Sequence, residues 1–524
     1  MLLHDDFKRI AAEQPDRSAL VVGDREYRYG ELCRDVERLA VHLQQAGVGR
    51  GARVAVYLRN GAEFVVALFA CFECGAVAVP LNPQIKQNKL TYILHEVEPA
   101  ALIAAAELRP IWSPERDALP GLRTVVQVGR PPRGSPPAGR DSEYEHVLAV
   151  AVGAVRNPGT IDQDLAAIIY TSGSTGEPKC VMLTHLNMVT ARGAILQYLG
   201  IDAADRIYCA LPLTFDYGLY QVLMAFAIGA SVVLDDGFVY VGDMLARLAG
   251  RNCTVFPAIP TMISLMMAGG DLRSQDAAGV RLVTNTAAAL SPAHIRYIRR
   301  NFPGARLFSM YGLTECKRVS YLPPEELDRR PDSIGRGMPN EEVYLVDDQG
   351  RRLPHGSIGE LVVRGSHVMR GYWRKQAETD ECLRPGSIEG ERVLHTGDMF
   401  RSDAEGYLYF LGRKDDIIKS RGEKVSPREI EKIVSAHDAV IDVAAVGVPD
   451  AVSGEAIRLF IRRAPNSQVG AREILAYCAA RMERHMTPRE VVFVEALPRT
   501  PNGKVDKKAL QRGEIAHAGG PASQ

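Results

Sequence analysis

The chain has 524 residues, too many for a single hydrophobic core, so two or more domains are expected. Hydrophobic residues make up 46% and charged residues 24%, as in an ordinary globular protein, and Lys plus Arg and Asp plus Glu both total 63. That neutrality gives no field to draw the chain onto nucleic acid or an anionic membrane, and no apolar run reaches the roughly 18 residues of a membrane helix. The opening Met1-Leu2-Leu3-His4-Asp5-Asp6 is acidic early and lacks a signal-peptide core. A cytoplasmic enzyme acting on small molecules is the expectation. Of nine scattered cysteines, only Cys71 and Cys74 form a Cys-x-x-Cys pair. A zinc site wants a second pair, so these two read as small buried hydrophobes.

The first 130 residues alternate helical and strand-like patterns. Leu32 to Gly47 reads as an amphipathic helix, Arg53 to Leu58 as a strand, Ala62 to Gly75 as a helix and Val77 to Pro80 as a strand. Such alternation predicts βαβ units and a mostly parallel sheet. The Pro/Gly-rich stretch 131–139 reads as an exposed loop. A second α/β stretch runs from about Asp164 to Arg306, with strands at Ser231–Leu234, Cys253–Phe256 and Arg281–Thr284. From Ser333 to Phe410, glycines and β-branched residues predict short antiparallel strands. The character changes near Gly412, beyond which a small α+β lid is expected. Its roughly hundred residues show their own βαβ pattern, with a helix over Pro427–Ala436 after Ser426, strands at Val443–Val448 and Ala456–Ile461, and a helix over Ala471–Arg484. The expected division is a core at 1–411, a hinge at 412–416, a lid at 417–512 and a disordered tail at 513–524.

The most informative stretch is Tyr170-Thr171-Ser172-Gly173-Ser174-Thr175-Gly176-Glu177-Pro178-Lys179, which follows the buried-strand pattern Leu165–Ile169. Glycines let backbone N–H groups approach a phosphate, hydroxyls add donors and a lysine adds a mobile charge. Glu177 and Pro178 break the Gly-Lys-Ser/Thr ending of the usual P-loop. Composition alone also permits a ligand-free flexible loop. Further on, Ser309-Met310-Tyr311-Gly312-Leu313-Thr314-Glu315 offers a ring to stack on a purine, a hydroxyl for a phosphate and a carboxylate for Mg²⁺. Thr396-Gly397-Asp398 carries a carboxylate able to accept from ribose hydroxyls. Gly412-Arg413-Lys414-Asp415 sits at the composition change. Pro498-Arg499-Thr500-Pro501-Asn502-Gly503-Lys504 ends in a tight-turn signal, so an exposed hairpin lysine is its bland reading.

Taken in order, these strings resemble the adenylate-forming (AMP-binding) superfamily, which includes acyl-CoA synthetases, luciferases and the adenylation domains of peptide synthetases. The resemblance spans nearly the whole chain. It implies a large N-terminal domain of βαβ subdomains with a small β-rich subdomain, and a small mobile α+β C-terminal domain. It also implies that Thr171, Ser172, Gly173, Ser174, Thr175, Gly176 and Lys179 clasp phosphates, that Tyr311 stacks on adenine and that Thr314 contacts the α-phosphate. Glu315 would bind magnesium, and Asp398 and Arg413 the ribose. Asp415 would be the pivot, and Lys504 would bridge the carboxylate nucleophile and the α-phosphate. The segment Ser420-Arg421-Gly422-Glu423-Lys424 resembles the loop that passes the thiol arm, with Gly422 lining its tunnel. Gly359-Glu360-Leu361 and Asn285-Thr286-Ala287-Ala288-Ala289-Leu290 occupy the places of weaker motifs. The second, with Ala288 beside adenine, departs from the family's glycine-rich form. Cys180 replaces the usual glycine after the loop lysine and reads as local variation rather than a catalytic thiol.

Leu211 to Tyr220 matches the segment that opens the acid pocket, making Phe215, Asp216 and Tyr220 its candidate lining. A carboxylate in an apolar pocket needs a positive partner. Asp216 therefore predicts either a substrate amino group or a structural role on loop backbone. Phe215–Leu219 and Tyr311–Arg318 also resemble an acyl-CoA ligase subgroup associated with exosortase loci.

The implied reaction is ATP-dependent activation of a carboxylic or amino acid as its adenylate, with Mg²⁺, followed by transfer to the thiol of CoA or phosphopantetheine. An acyl-CoA ligase is the leading reading. A stand-alone amino-acid adenylation enzyme loading a separate carrier protein is the alternative, since no carrier domain is visible after Lys504. A phosphotransferase releasing ADP and a non-catalytic ATP-binding module are the readings from other classes.

Overall fold

The computed structural model describes residues 1–116, 118–130, 141–151, 153–172, 178–237, 240–272, 277–286, 290–420, 423–450, 454–465, 467–499 and 505–513. It separates into two compact units. The first comprises Met1–Pro331, Gly335–Glu342 and Val363–Leu394, and the second Asp332–Ile334, Val343–Val362 and His395–Gln524.

Two large sheets build the first unit. One orders its strands Ser142–Glu143, Thr124–Val128, Ala101–Ala105, Arg53–Tyr57, Val77–Pro80, Leu165–Ser172, Pro178–Thr184 and Gly371–Tyr372. Its pairings are parallel as far as Leu165–Ser172, and the last two strands add antiparallel. The other sheet places Arg206–Cys209, Val255–Ala258, Leu282–Asn285 and Arg306–Tyr311 side by side and parallel. Its strands begin a residue or two later than periodicity suggested at Val255 and Leu282, because the apolar run, not its flanking polar residue, enters the ladder. The helix Ala62–Glu73 lies buried on every face, which explains its continuous apolar sequence. Near it Phe7 stacks on Phe226 with ring centres 5.2 Å apart and tilts against Phe69 at 4.8 Å. Rings of this size each contribute about 1.5–3 kcal/mol on burial. Cys71 and Cys74 are fully buried free thiols in this core.

In the second unit Pro427–Ser435 begins as expected, with the Ser426 side chain accepting from the Glu429 N–H at 3.4 Å. The strands Val440–Asp450 and Gly454–Arg463 are longer than the sequence suggested and pair antiparallel. The expected βαβ pattern runs from Gly454–Arg463 through the helix Ala471–Ala479 to the parallel strand Glu490–Phe493. The side chains of Ile430, Val434, Leu459, Ile461 and Ile474 form one apolar layer, and Phe460, Val494, Leu497 and Leu510 another. A short helix, Lys507–Arg512, was not legible in the sequence. The loop 131–139 and residues 514–524 lie outside the described residues. Among those described, no helix is long and apolar enough to cross a membrane.

Candidate functional site

The lysine-bearing loop joins two strands of one hairpin: Leu165–Ser172 and Pro178–Thr184 pair antiparallel, with Thr171 opposite Lys179. This register fixes Lys179 at the base of the loop. Cys180 beside it faces the core, and burial, with the Tyr170 hydroxyl as a smaller opposing influence, pushes its thiol pKa well up. A buried, protonated thiol is inert, in keeping with its reading as a packing residue. The ammonium of Lys179 lies 4.9 Å from the centre of the Tyr372 ring. The Tyr372 hydroxyl in turn donates to Glu315 Oε1 at 2.8 Å. Burial first, and the Glu315 carboxylate second, keep that phenol protonated and thus a donor. One tyrosine therefore ties the loop lysine to the carboxylate of the Thr-Glu motif.

Tyr311 ends the strand Arg306–Tyr311, and its carbonyl accepts the Val319 N–H at 2.9 Å. Thr314 and Glu315 follow on a half-buried turn, held by the Met369 N–H donating to the Glu315 carbonyl at 2.7 Å. A Cβ at Gly312 would overlap the Lys317 carbonyl oxygen and come within 3.0 Å of the Arg318 Cα. Glycine is thus a steric requirement of this turn.

In the second unit, Asp398 is buried on the strand Arg392–Ser402, opposite Arg413 on Leu408–Arg413. Arg413 Nε lies 3.2 Å from Asp398 Oδ1. Thr396 and Glu360 brace the stretch of strand that presents this carboxylate. Thr396 Oγ1 donates to the Leu361 carbonyl at 2.8 Å and accepts the Asp398 N–H at 3.1 Å. Glu360 Oε1 accepts the Gly397 N–H at 3.1 Å, and its Oε2 accepts from Lys414 Nζ at 3.1 Å. Burial opposes ionisation of Glu360, but the His395 ring and the Lys414 ammonium override it and hold the carboxyl down to about 2. Asp415 follows on an exposed turn, where the Ile417 N–H donates to the Arg413 carbonyl at 3.1 Å.

The acid-pocket candidates cluster at the start of the helix Asp216–Ile228. Phe215 precedes the helix, and Asp216 opens it half-buried, where the helix dipole favours a carboxylate. Tyr220 is buried one turn on, its hydroxyl donating to the Met188 carbonyl at 3.3 Å. Against Tyr220 lies a residue to which sequence reasoning gave no role: the Lys317 ammonium, 5.6 Å from its ring centre. Tyr372, Glu360 and Lys317 are the contributors that the sequence did not assign. For Lys317 a signal existed, in two cations following Thr-Glu-Cys next to an apolar strand.

Several candidates lie outside the described residues: Gly173, Ser174, Thr175, Gly176, Ala288, Gly422 and Lys504, and the side chain of Ser172. Their flanks are described. Ser420 pairs with Glu423, and Arg499 bridges Val505.

A parallel α/β unit with a lysine-bearing loop and a Thr-Glu turn, in a chain whose other unit carries the buried Asp398 opposite Arg413, fits the class of ATP-using, adenylate-forming ligases. The family model for AMP-binding enzymes matches residues 7–373, and that for their C-terminal domain matches 429–504; the chain belongs to this family. It is 32% identical to indoleacetate–CoA ligase of Aromatoleum aromaticum, covering 98% of both chains. ATP-bound MatB of Rhodopseudomonas palustris superposes with a TM-score of 0.88 at 26% identity, covering 98% of this chain and 99% of that one. O-succinylbenzoate coenzyme A synthetase of Bacillus subtilis, in complex with ATP and magnesium, gives 0.82 at 25% identity, covering 97% and 99%. The chain is thus an AMP-forming acid–thiol ligase, using ATP to make an acyl-CoA.

Proposed function

We propose that the chain joins a small carboxylic acid to CoA in the cytoplasm in two half-reactions. The carboxylate attacks the α-phosphate of ATP and pyrophosphate leaves; the CoA thiol then displaces AMP from the acyl-adenylate. In this reading Lys179 and the hydroxyls of 171–175 hold the leaving phosphates, Thr314 contacts the α-phosphate and Tyr311 stacks on adenine. Asp398 accepts from the ribose hydroxyls, with Arg413 as its cationic neighbour. Lys504 stabilises charge at the α-phosphate during adenylation. Asp415, within a hinge at 412–416, and Gly422 serve the thiol half. Phosphopantetheine of a carrier protein ends in the same thiol arm as CoA.

The observation that supports the proposal is the Lys179–Tyr372–Glu315 contact, in which one tyrosine meets the lysine read as binding phosphate and the carboxylate read as binding magnesium. Magnesium characteristically takes one or two carboxylates beside phosphate oxygens and water. Glu315 fits: its Oε1 is oriented by Tyr372, and the group is only half-buried. When bound, the ion neutralises phosphate charge.

Incubation with ATP, Mg²⁺, CoA and a panel of acids tests this. AMP, pyrophosphate and thioester must appear in equal amounts. Release of ADP, or ATP binding without pyrophosphate exchange for any acid, refutes it.

A further inference from the structure

The helix start that carries Phe215, Asp216 and Tyr220 faces a second charge. Lys317 is 2% exposed, and its Nζ has no hydrogen-bond partner among the described residues. Burial lowers its pKa, while the Asp216 and Glu315 carboxylates pull it back up. Asp216 is therefore near enough to steady the charge but gives it no hydrogen bond. A desolvated ammonium left without an acceptor is costly and is rarely tolerated unless something supplies the missing partner.

The backbone shows that this placement is enforced. Lys317 has φ +66, a left-handed conformation uncommon for a lysine. It is held there by the Gly312 approach to its carbonyl and by the Arg318 N–H donating to the Cys316 carbonyl at 2.8 Å. Strained residues of this kind concentrate where a binding site needs them. Arg318, 4% exposed, adds a second cation 5.1 Å from the Tyr217 ring centre, and its Nε has no hydrogen-bond partner among the described residues. Around the first turn of the helix, Lys317 and Arg318 thus face the Asp216 and Glu315 carboxylates, and the Lys317 ammonium keeps its N–H donors unspent. Unspent donors attract an oxygen acceptor and offer nothing to a substrate ammonium.

We infer that Lys317 is a specificity residue: the acid activated here carries, away from its reacting carboxylate, a second oxygen acceptor that the Lys317 ammonium binds beside Asp216 and Tyr220. The inference rests on the acid–CoA ligase reading. A second carboxylate complements the charge; a hydroxyl could accept from Lys317 and donate to Asp216. Both share the oxygen acceptor, and an amino-terminated acid lacks it.

The test compares kcat/KM for butyrate, γ-hydroxybutyrate, succinate and γ-aminobutyrate, and for the same end groups on longer aliphatic and on phenylacetic frames. Wild type is compared with Lys317→Met, which keeps length and removes the charge. Wild type should prefer the oxygen-ended acid of a matched set at least ~10-fold over the alkyl- and amino-ended ones. Lys317→Met should reduce that ratio to near unity. Succinate against γ-hydroxybutyrate then tells an anionic from a neutral acceptor. The wild-type preference is read without any variant, so it does not depend on Lys317→Met folding. A preference for alkyl- or amino-ended acids, or a ratio that survives Lys317→Met, overturns the inference and leaves the ligase reading standing. AMP release with no acid in the panel overturns both.

Discussion

Glu360 offers a quantitative check on how Asp398, the proposed ribose contact, is positioned. Its carboxyl is held at about 2 against an ordinary 4.5, so the folded state keeps it ionised where the unfolded chain protonates it. A group depressed in this way contributes stability above pH 4.5 and loses it as pH falls toward 2. At about 1.36 kcal/mol per tenfold, the ceiling is roughly 3 kcal/mol. Lys414 is 44% exposed on its side chain, and solvent screening brings the expected value to about 1–2 kcal/mol. Glu360→Gln keeps the volume and an acceptor for the Gly397 N–H but cannot titrate. Urea unfolding of wild type and Glu360→Gln, followed by circular dichroism from pH 6 to pH 3, should show a gap of about 1–2 kcal/mol at the upper end. The gap should close by about half at the lower end, because only the wild type takes up a proton on unfolding. Glu360→Ala also strands the Gly397 N–H, so it should raise KM for ATP about tenfold, the equivalent of one lost hydrogen bond, while Glu360→Gln changes it far less. A stability gap independent of pH would refute the view that charge rather than packing holds this loop.

Gly312→Ala must move the Lys317 backbone to relieve its overlap; it should cost more than about 2 kcal/mol and abolish pyrophosphate exchange, measured by thermal melting and isotope exchange. Tyr372→Phe removes the hydrogen bond that orients Glu315 and should raise the Mg²⁺ concentration for half-maximal exchange by up to about tenfold, with little change in melting temperature. An unchanged Mg²⁺ curve argues against the tie. Lys504→Ala should eliminate adenylation while leaving CoA able to consume a supplied acyl-adenylate; equal loss of both half-reactions would contradict a role confined to the first.

Much of this site was legible because its chemistry is local in sequence. The string from Thr171 to Lys179, the Tyr-Gly-Leu-Thr-Glu turn and Thr396-Gly397-Asp398 each place their polar groups within a few residues. Gly312 carried its own signal, since a turn that close has no room for a Cβ. The helix after Ser426 was legible for the same reason: a cap and an apolar periodicity are properties of adjacent residues. What the sequence left open in the second unit was a pairing. Val440–Asp450 and Gly454–Arg463 look alike as apolar runs whether they lie parallel or antiparallel, and the separation between them, not their composition, decides it.

The sequence by itself determined the reaction class, through short motifs whose residues need no distant partner to be recognised. Only the tertiary structure decided who neighbours whom. Tyr372 reaches Lys179 and Glu315 from a strand added to the sheet edge, and Glu360 reaches Gly397 on the neighbouring strand and Lys414 beyond it. Lys317, which had no role in the sequence reading, proves buried, its Nζ without a hydrogen-bond partner among the described residues. A charge acquires chemical meaning from its burial and its counter-ions, and both are set by packing between segments far apart in the chain.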